Sequence, residues 1–357
     1  MKNLFWALSA SLFLFALPLS ITCIPATQLD DRLPVQTVGD AIDSVLTIQP
    51  QKPFNGAILV ARGDSVVYSH EQGYANFSSK KLLALTDQFV IGSISKQLTA
   101  VVLLQAYDKG LVKLHVPIRR YLPELTHSWA DTVTIHHLLT HMHGITALDK
   151  PVKFPVGTQY AYSQIGYNLL ARIAEQVSGK PFAELSKILF LQCGMRNTFH
   201  PDTKGYLHLV EGYTEQANGT LEREKDTFEN YPAAGTFIST VQDLLQWNRC
   251  LYGGKLLKKK TLALMMTPQK GAVRQHPLFG LTFYGYGVTI DQKDNIRQYG
   301  LTGYVPGFIS MNFYYPDTKT SIIAWENTVY DVDDLKKTFL YHTGILQSVR
   351  KWQSDKK

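Results

Sequence analysis

The sequence predicts a mixed α/β (α+β) protein: an antiparallel sheet flanked by helices and interrupted by a mainly helical insertion. Strand-like runs gather near the two ends of the chain, whereas the long middle has helical spacing. Size and composition agree. With 357 residues, 45% of them hydrophobic and 18% charged, the chain can bury a large core and lacks the signature of disorder.

Lys2 precedes an apolar stretch from Leu4 to Leu19, broken only by Ser9, Ser11 and Pro18, and small or neutral residues run on to Ala26. Residues 1–26 therefore read as a secretory signal peptide, cleaved after Thr22 or Ala26, which predicts a secreted or periplasmic protein. Lipidation at Cys23 is the lesser reading, because Ser20-Ile21-Thr22 lacks the leucine and the small residue expected before a lipidated cysteine. No later apolar run is long enough to span a bilayer, so any membrane association should be peripheral.

Residues 35–49 place Val38, Ile42, Val45 and Leu46 at helical spacing. Asn55 to Arg62 and Ser65 to Gln72 read as strands joined by a Gly63-Asp64 hairpin turn. The strand-like Phe89-Val90-Ile91-Gly92 then gives way to a helix from Gln97 to Asp108. Residues 109–234 have mainly helical patterning, and strands return over 285–291, 295–301, 307–315 and 320–326. The last of these follows the turn Pro316-Asp317-Thr318-Lys319. A helix over 331–349 closes the chain. The implied organisation is a sheet domain built from 27–108 and 236–350, a helical insertion over 109–235, and a basic tail at 351–357.

The net charge of +7 is dispersed, with runs at Lys258-Lys259-Lys260 and in the tail that read as solvated surface. No basic stripe interleaved with aromatics suggests a nucleic-acid reader, and no glycine-rich phosphate loop is present. Cys193 and Cys250 fall in separate helical segments; in an oxidising compartment they could pair, but the default expectation is two buried free thiols.

The chemistry centres on Ser93-Ile94-Ser95-Lys96. A serine hydroxyl is a poor nucleophile without a base, and residues three apart share a helical face, so Lys96 can reach the Ser93 oxygen. At a helix N-terminus, free N–H groups and the positive end of the dipole face any oxyanion formed there. A bare Ser-x-x-Lys is weak evidence; its surroundings decide.

Phe89 to Ala100 is followed by Gly110-Leu111-Val112-Lys113-Leu114, Tyr121-Leu122-Pro123-Glu124-Leu125, Val133 to His141 and Gly144-Ile145. Phe154-Pro155-Val156-Gly157-Thr158, Gly194-Met195, Ser239-Thr240 and Pro306-Gly307-Phe308 continue the series. In this order the segments closely resemble the β-lactamase-related family of class C β-lactamases, D-Ala-D-Ala carboxypeptidases, D-aminopeptidases and esterases, over roughly residues 50 to 328. The resemblance implies the β-lactamase/transpeptidase fold, with the site between the sheet and the helical part, acyl-enzyme chemistry, and no cofactor or metal. It also implies a small-molecule or peptide substrate, with peptidoglycan-derived peptides as the first expectation.

The family's second motif, Tyr-x-Asn, falls on Tyr162-Ser163-Gln164, with glutamine in place of asparagine. The resemblance makes Tyr162 a proton relay kept near deprotonation, and Gln164 a substrate-binding amide. Its third motif falls on Leu301-Thr302-Gly303, where relatives carry Lys-Thr-Gly or His-x-Gly. Thr302 and Gly303 remain, and the Tyr304 N–H is expected to pair with that of Ser93 as an oxyanion hole. Losing the motif's charge-assisted hydrogen bond should cost roughly 1.5–3 kcal/mol. Arg297 and Tyr299 lie at the strand spacing that shares the face of Leu301.

An efficient antibiotic-degrading β-lactamase is therefore less expected than a carboxypeptidase, D-aminopeptidase or esterase. A catalytically silent peptidoglycan-binding pseudoenzyme is the non-enzymatic alternative. The cluster His136, His137, His141 and His143 lacks the glutamate of a zincin motif and reads as capping and packing rather than metal ligation.

Overall fold

The computed structural model describes residues 37–203, 205–225 and 231–354. The expected signal peptide, Cys23 and the last three residues of the basic tail lie outside the described residues.

An eight-stranded antiparallel sheet forms the frame. Its strands are β1 (Gly56–Arg62), β2 (Ser65–Gln72), β3 (Val273–His276), β4 (Gly280–Tyr284), β5 (Thr289–Asp291), β6 (Gln298–Val305), β7 (Phe308–Tyr315) and β8 (Thr320–Glu326). In space they run β2-β1-β8-β7-β6-β5-β4-β3. The C-terminal strands form a meander, and β1 adds to it by pairing Gly56 with Glu326 through Arg62 with Thr320. The hairpin near the start of the sheet thus closes against the strand that ends it.

Both faces of the central strands are buried, because successive side chains of a strand point to opposite sides. Ile58, Val60, Ile322 and Ala324 pack on one side with Ile42, Leu46, Ile345 and Val349. These come from helices α1 (Val38–Leu46) and α10 (Leu340–Ser354). Thr37 starts α1 with a capping box to Asp40. On the other side Ala57, Leu59, Ile323 and Trp325 join the larger core with α2 (Ser95–Asp108), α4 (Gln164–Ser178), α5 (Phe182–Gln192) and α7 (Val241–Tyr252). Every residue of α2 from Ser95 to Leu104 is buried, so this helix is embedded all round.

Several expectations change, among them the strand expected over 295–301, which runs over Gln298–Val305. Cys193, the C-cap of α5, and Cys250, on α7, form a disulfide, with Cα atoms 5.6 Å apart, and are not free thiols. A separation of 57 residues hid a proximity that helix packing creates. The strand expected over 285–291 shrinks to Thr289–Asp291, because Gly285 and Val288 close a turn with Gly287 at φ +69°. The β3–β4 hairpin was not foreseen; it adds two short strands at the sheet edge. The closing helix is split at Phe339 into α9 (Leu335–Thr338) and α10. Among the described residues, no helix is long and apolar enough to cross a membrane.

Candidate active site

Ser93 lies in a one-turn 3₁₀ helix, Gly92–Ile94, that feeds directly into α2. Lys96, in the first turn of α2, is fully buried, with Nζ 3.2 Å from Ser93 Oγ. Nζ also donates to the backbone carbonyl of Ala234 and to Gln164 Oε1, each at 2.5 Å. Burial, reinforced by the charge of Arg274, holds the Lys96 pKa well below 10.5. A neutral amine has two N–H donors and one lone pair. The two carbonyls use the donors, which leaves the lone pair for the Ser93 hydroxyl proton.

On the other side of Ser93 Oγ stands Tyr162, whose hydroxyl donates to it at 2.6 Å. Tyr162 opens onto the cleft, being 37% exposed, but its hydroxyl lies among buried groups. That burial raises its pKa above 10, against the opposing pull of Ser93 and Arg274. The near-deprotonated tyrosine implied by the resemblance is therefore replaced by a neutral phenol. Gln164 Oε1 accepts from Lys96.

Thr302 and Gly303 sit on β6, which crosses the Ser93 turn so closely that neither crossing residue has room for a side chain. A Cβ on Gly303 would lie 2.4 Å from the Ile91 carbonyl oxygen, and one on Gly92 would lie 2.7 Å from the Tyr304 nitrogen. Gly92 also takes φ +54°, a conformation that suits glycine. The crossing brings the Tyr304 N–H beside the segment that carries Ser93. Leu301 is 2% exposed and belongs to the main core. Neither Arg297, just before β6, nor Tyr299, on it, replaces the missing cation: Arg297 pairs with Asp317, and Tyr299 stacks on Tyr252.

His141 holds the Tyr162 loop from both sides. Its carbonyl accepts from the Ala161 N–H at 2.8 Å, and its Nδ1 accepts from the Ser163 N–H at 3.2 Å. Its ring centroid is 4.5 Å from that of Tyr162, and its φ of +58° is uncommon for a non-glycine residue. Burial, reinforced by the charge of Arg274, holds this imidazole neutral. His137 caps the short helix α3 (Ile135–Leu139), His136 bonds the Tyr286 hydroxyl, and His143 Nδ1 accepts from Ile145 N–H. Among the described residues, no group of His, Cys, Asp and Glu is arranged to hold a metal ion.

A nucleophile between an embedded amine and a phenol, beside a glycine–glycine crossing, is a serine hydrolase arrangement. The Beta-lactamase family profile matches residues 49–344.

The chain belongs to the beta-lactamase family.

This family comprises serine hydrolases, and the chain is accordingly a hydrolase. It is 26% identical to penicillin-binding protein 4* of Bacillus subtilis, over 80% of this chain and 71% of the relative. It is 23% identical to the teichoic acid D-alanine hydrolase of Staphylococcus aureus, over 76% and 70% of the two chains. Among solved structures, D-amino acid amidase from Ochrobactrum anthropi has the same fold at a TM-score of 0.77 and 20% identity, covering 88% of this chain and 99% of that one.

Within this beta-lactamase-family site, sequence reasoning missed three partners. The Ala234 carbonyl is a backbone atom of the turn Pro232–Gly235 and has no residue signature. His141 lay inside a motif-like segment, but its grip on the tyrosine loop required the fold. Arg274, on the short edge strand β3, has its guanidinium carbon 5.0 Å from the centre of the Tyr162 ring. The pair Val273–His276 and Gly280–Tyr284, around Pro277, was the one faint hairpin signal for it.

Proposed function

We propose that this chain is a secreted or periplasmic hydrolase that cuts amide bonds of peptidoglycan-derived D-amino-acid peptides through an acyl-enzyme on Ser93. The observation that carries it is Ser93 Oγ, held 3.2 Å from Lys96 Nζ and 2.6 Å from the Tyr162 hydroxyl. Lys96 takes the Ser93 proton as Oγ bonds to the substrate carbonyl carbon. The Ser93 and Tyr304 N–H groups receive the oxyanion. As the C–N bond breaks, Tyr162 gives its proton to the leaving nitrogen and is reprotonated from Lys96 by way of the site. Water, deprotonated by Lys96, then releases the acyl group and restores Ser93.

Relatives named for penicillin binding, D-alanine and D-amino acids support this substrate class. The Cys193–Cys250 disulfide supports an oxidising compartment, in keeping with the signal-like N-terminus. A second reading, an esterase of the same fold, is favoured by the loss of the third-motif cation at Leu301.

Intact-mass measurement after fluorophosphonate treatment tests the acyl-enzyme: wild type should gain one adduct and Ser93→Ala none. Equal labelling of both, or of neither, would point to the silent pseudoenzyme. Fluorogenic D-Ala-D-Ala peptides set against short-chain aryl esters then separate the peptidase from the esterase.

A further inference from the structure

The third motif of this chain lacks its cation, and its own strand does not supply a substitute. Leu301 is packed in the core, and Arg297 is engaged by Asp317. Lys96, the other basic side chain at the nucleophile, is buried and held by Ala234, Gln164 and Ser93. Arg274 is different. It reaches the site from the opposite edge of the sheet, from β3, and lies against Tyr162, the residue bonded to Ser93 Oγ.

Among the described residues, no carboxylate forms an ion pair with Arg274, and the residue is only partly buried. A guanidinium against an aromatic face uses its flat surface there and keeps its N–H edge for a planar anion. Its field reaches the reacting groups, since its charge helps hold Lys96 and His141 neutral and acidifies Tyr162. An unpaired cation of this kind next to a nucleophile costs self-repulsion with any protonated Lys96. Binding an anion removes that cost.

We infer that Arg274 binds the carboxylate of the substrate's leaving group and so takes the place of the cation absent at Leu301. This rests on the acyl-enzyme reading of Ser93. A carboxylate fits better than a phosphate ester, because one guanidinium fork neutralises one planar monoanion. The substrates are then peptides with a free C-terminal carboxylate close to the scissile bond, which favours carboxypeptidase over aminopeptidase or simple esterase action. The carboxylate would sit beside Tyr162, on the leaving-group side of Ser93.

The test uses two aryl esters of N-acetyl-D-alanine that differ only in the leaving phenol, 3-carboxyphenol or its neutral 3-carbamoyl analogue. The readout is the ratio of their kcat/KM values in wild type, Arg274→Gln and Arg274→Lys, each checked for an unchanged Tm. Wild type should prefer the carboxylate ester. Arg274→Gln should lower the ratio about ten- to a hundredfold, the worth of one charge-assisted hydrogen bond, and Arg274→Lys should recover part of it. An unchanged ratio in Arg274→Gln overturns the proposal, even if both rates fall, because Arg274 would then act only by holding Tyr162. Failure of wild-type Ser93 to take the fluorophosphonate would instead overturn the acyl-enzyme reading on which the proposal stands.

Discussion

Lys96 concentrates the residue-scale argument. An ammonium group without solvent is costly, and the protein meets that cost by lowering the proton affinity of Lys96, not by supplying a carboxylate. The amine is thus free to act as a base well below pH 10.5. Lys96→Met should keep the apolar packing and lower kcat/KM by about 10²–10⁴, the usual worth of general-base catalysis. The pH profile gives an independent check. In wild type kcat/KM should rise with pH through the lowered Lys96 pKa. Removing the Arg274 charge removes one penalty on the protonated amine, so this pKa rises and the acidic limb in Arg274→Gln moves to higher pH. A limb that stays in place would mean that the Arg274 charge does not reach Lys96. The Ser-x-x-Lys spacing and the Tyr162 motif were legible as a set, because helical geometry alone puts residues three apart on one face. Arg274 was not legible, since nothing local connects a short edge strand with a tyrosine more than a hundred residues earlier.

At the scale of elements, the site depends on β6 crossing the Ser93 turn. Alanine at Gly303 would place its Cβ 2.3 Å from Ser310 Oγ and 2.4 Å from the Ile91 carbonyl oxygen. The serine hydroxyl can rotate away, but the carbonyl belongs to the backbone that enters the Ser93 turn. Gly303→Ala should therefore separate β6 from that turn and cost on the order of 10²–10³ in kcat, the scale of a lost oxyanion donor. Adding Ser310→Gly should not rescue it, which steady-state kinetics of the double variant would reveal. The strands that frame this crossing were foreseen: the expected 307–315 and 320–326 correspond to Phe308–Tyr315 and Thr320–Glu326. Their apolar runs serve two buried faces, so the hydrophobic signal was strong. β3 and β4 escaped notice because they are short and lie at a partly exposed edge, and Arg274-Gln275-His276 in β3 are polar in a row without the alternation that marks a strand.

For the molecule as a whole, the disulfide joins two helices of the larger core across 57 residues of chain. Closing a loop of that size restricts the unfolded chain, and the double change Cys193→Ser with Cys250→Ser should destabilise the protein by about 2–4 kcal/mol. Thermal melts of wild type with and without reductant, beside the double variant, check this; melts that coincide would refute it. The residual activity of the folded variant should be close to that of wild type, because neither cysteine touches Ser93, Lys96 or Tyr162.

What the sequence determined by itself was the identity of the chemistry and the plan of the sheet. Both are written in short-range spacing: a serine and lysine on one helical turn, a tyrosine motif, a Gly-Asp hairpin and strands with buried faces. What only the tertiary structure decided was which groups meet. Folding placed Cys193 against Cys250, turned Gln164 toward Lys96, buried Leu301 in the core and carried Arg274 across the sheet to Tyr162. Each is a contact between segments far apart in the chain. It is set by how helices and strands pack, and side-chain spacing along the sequence does not encode that packing locally.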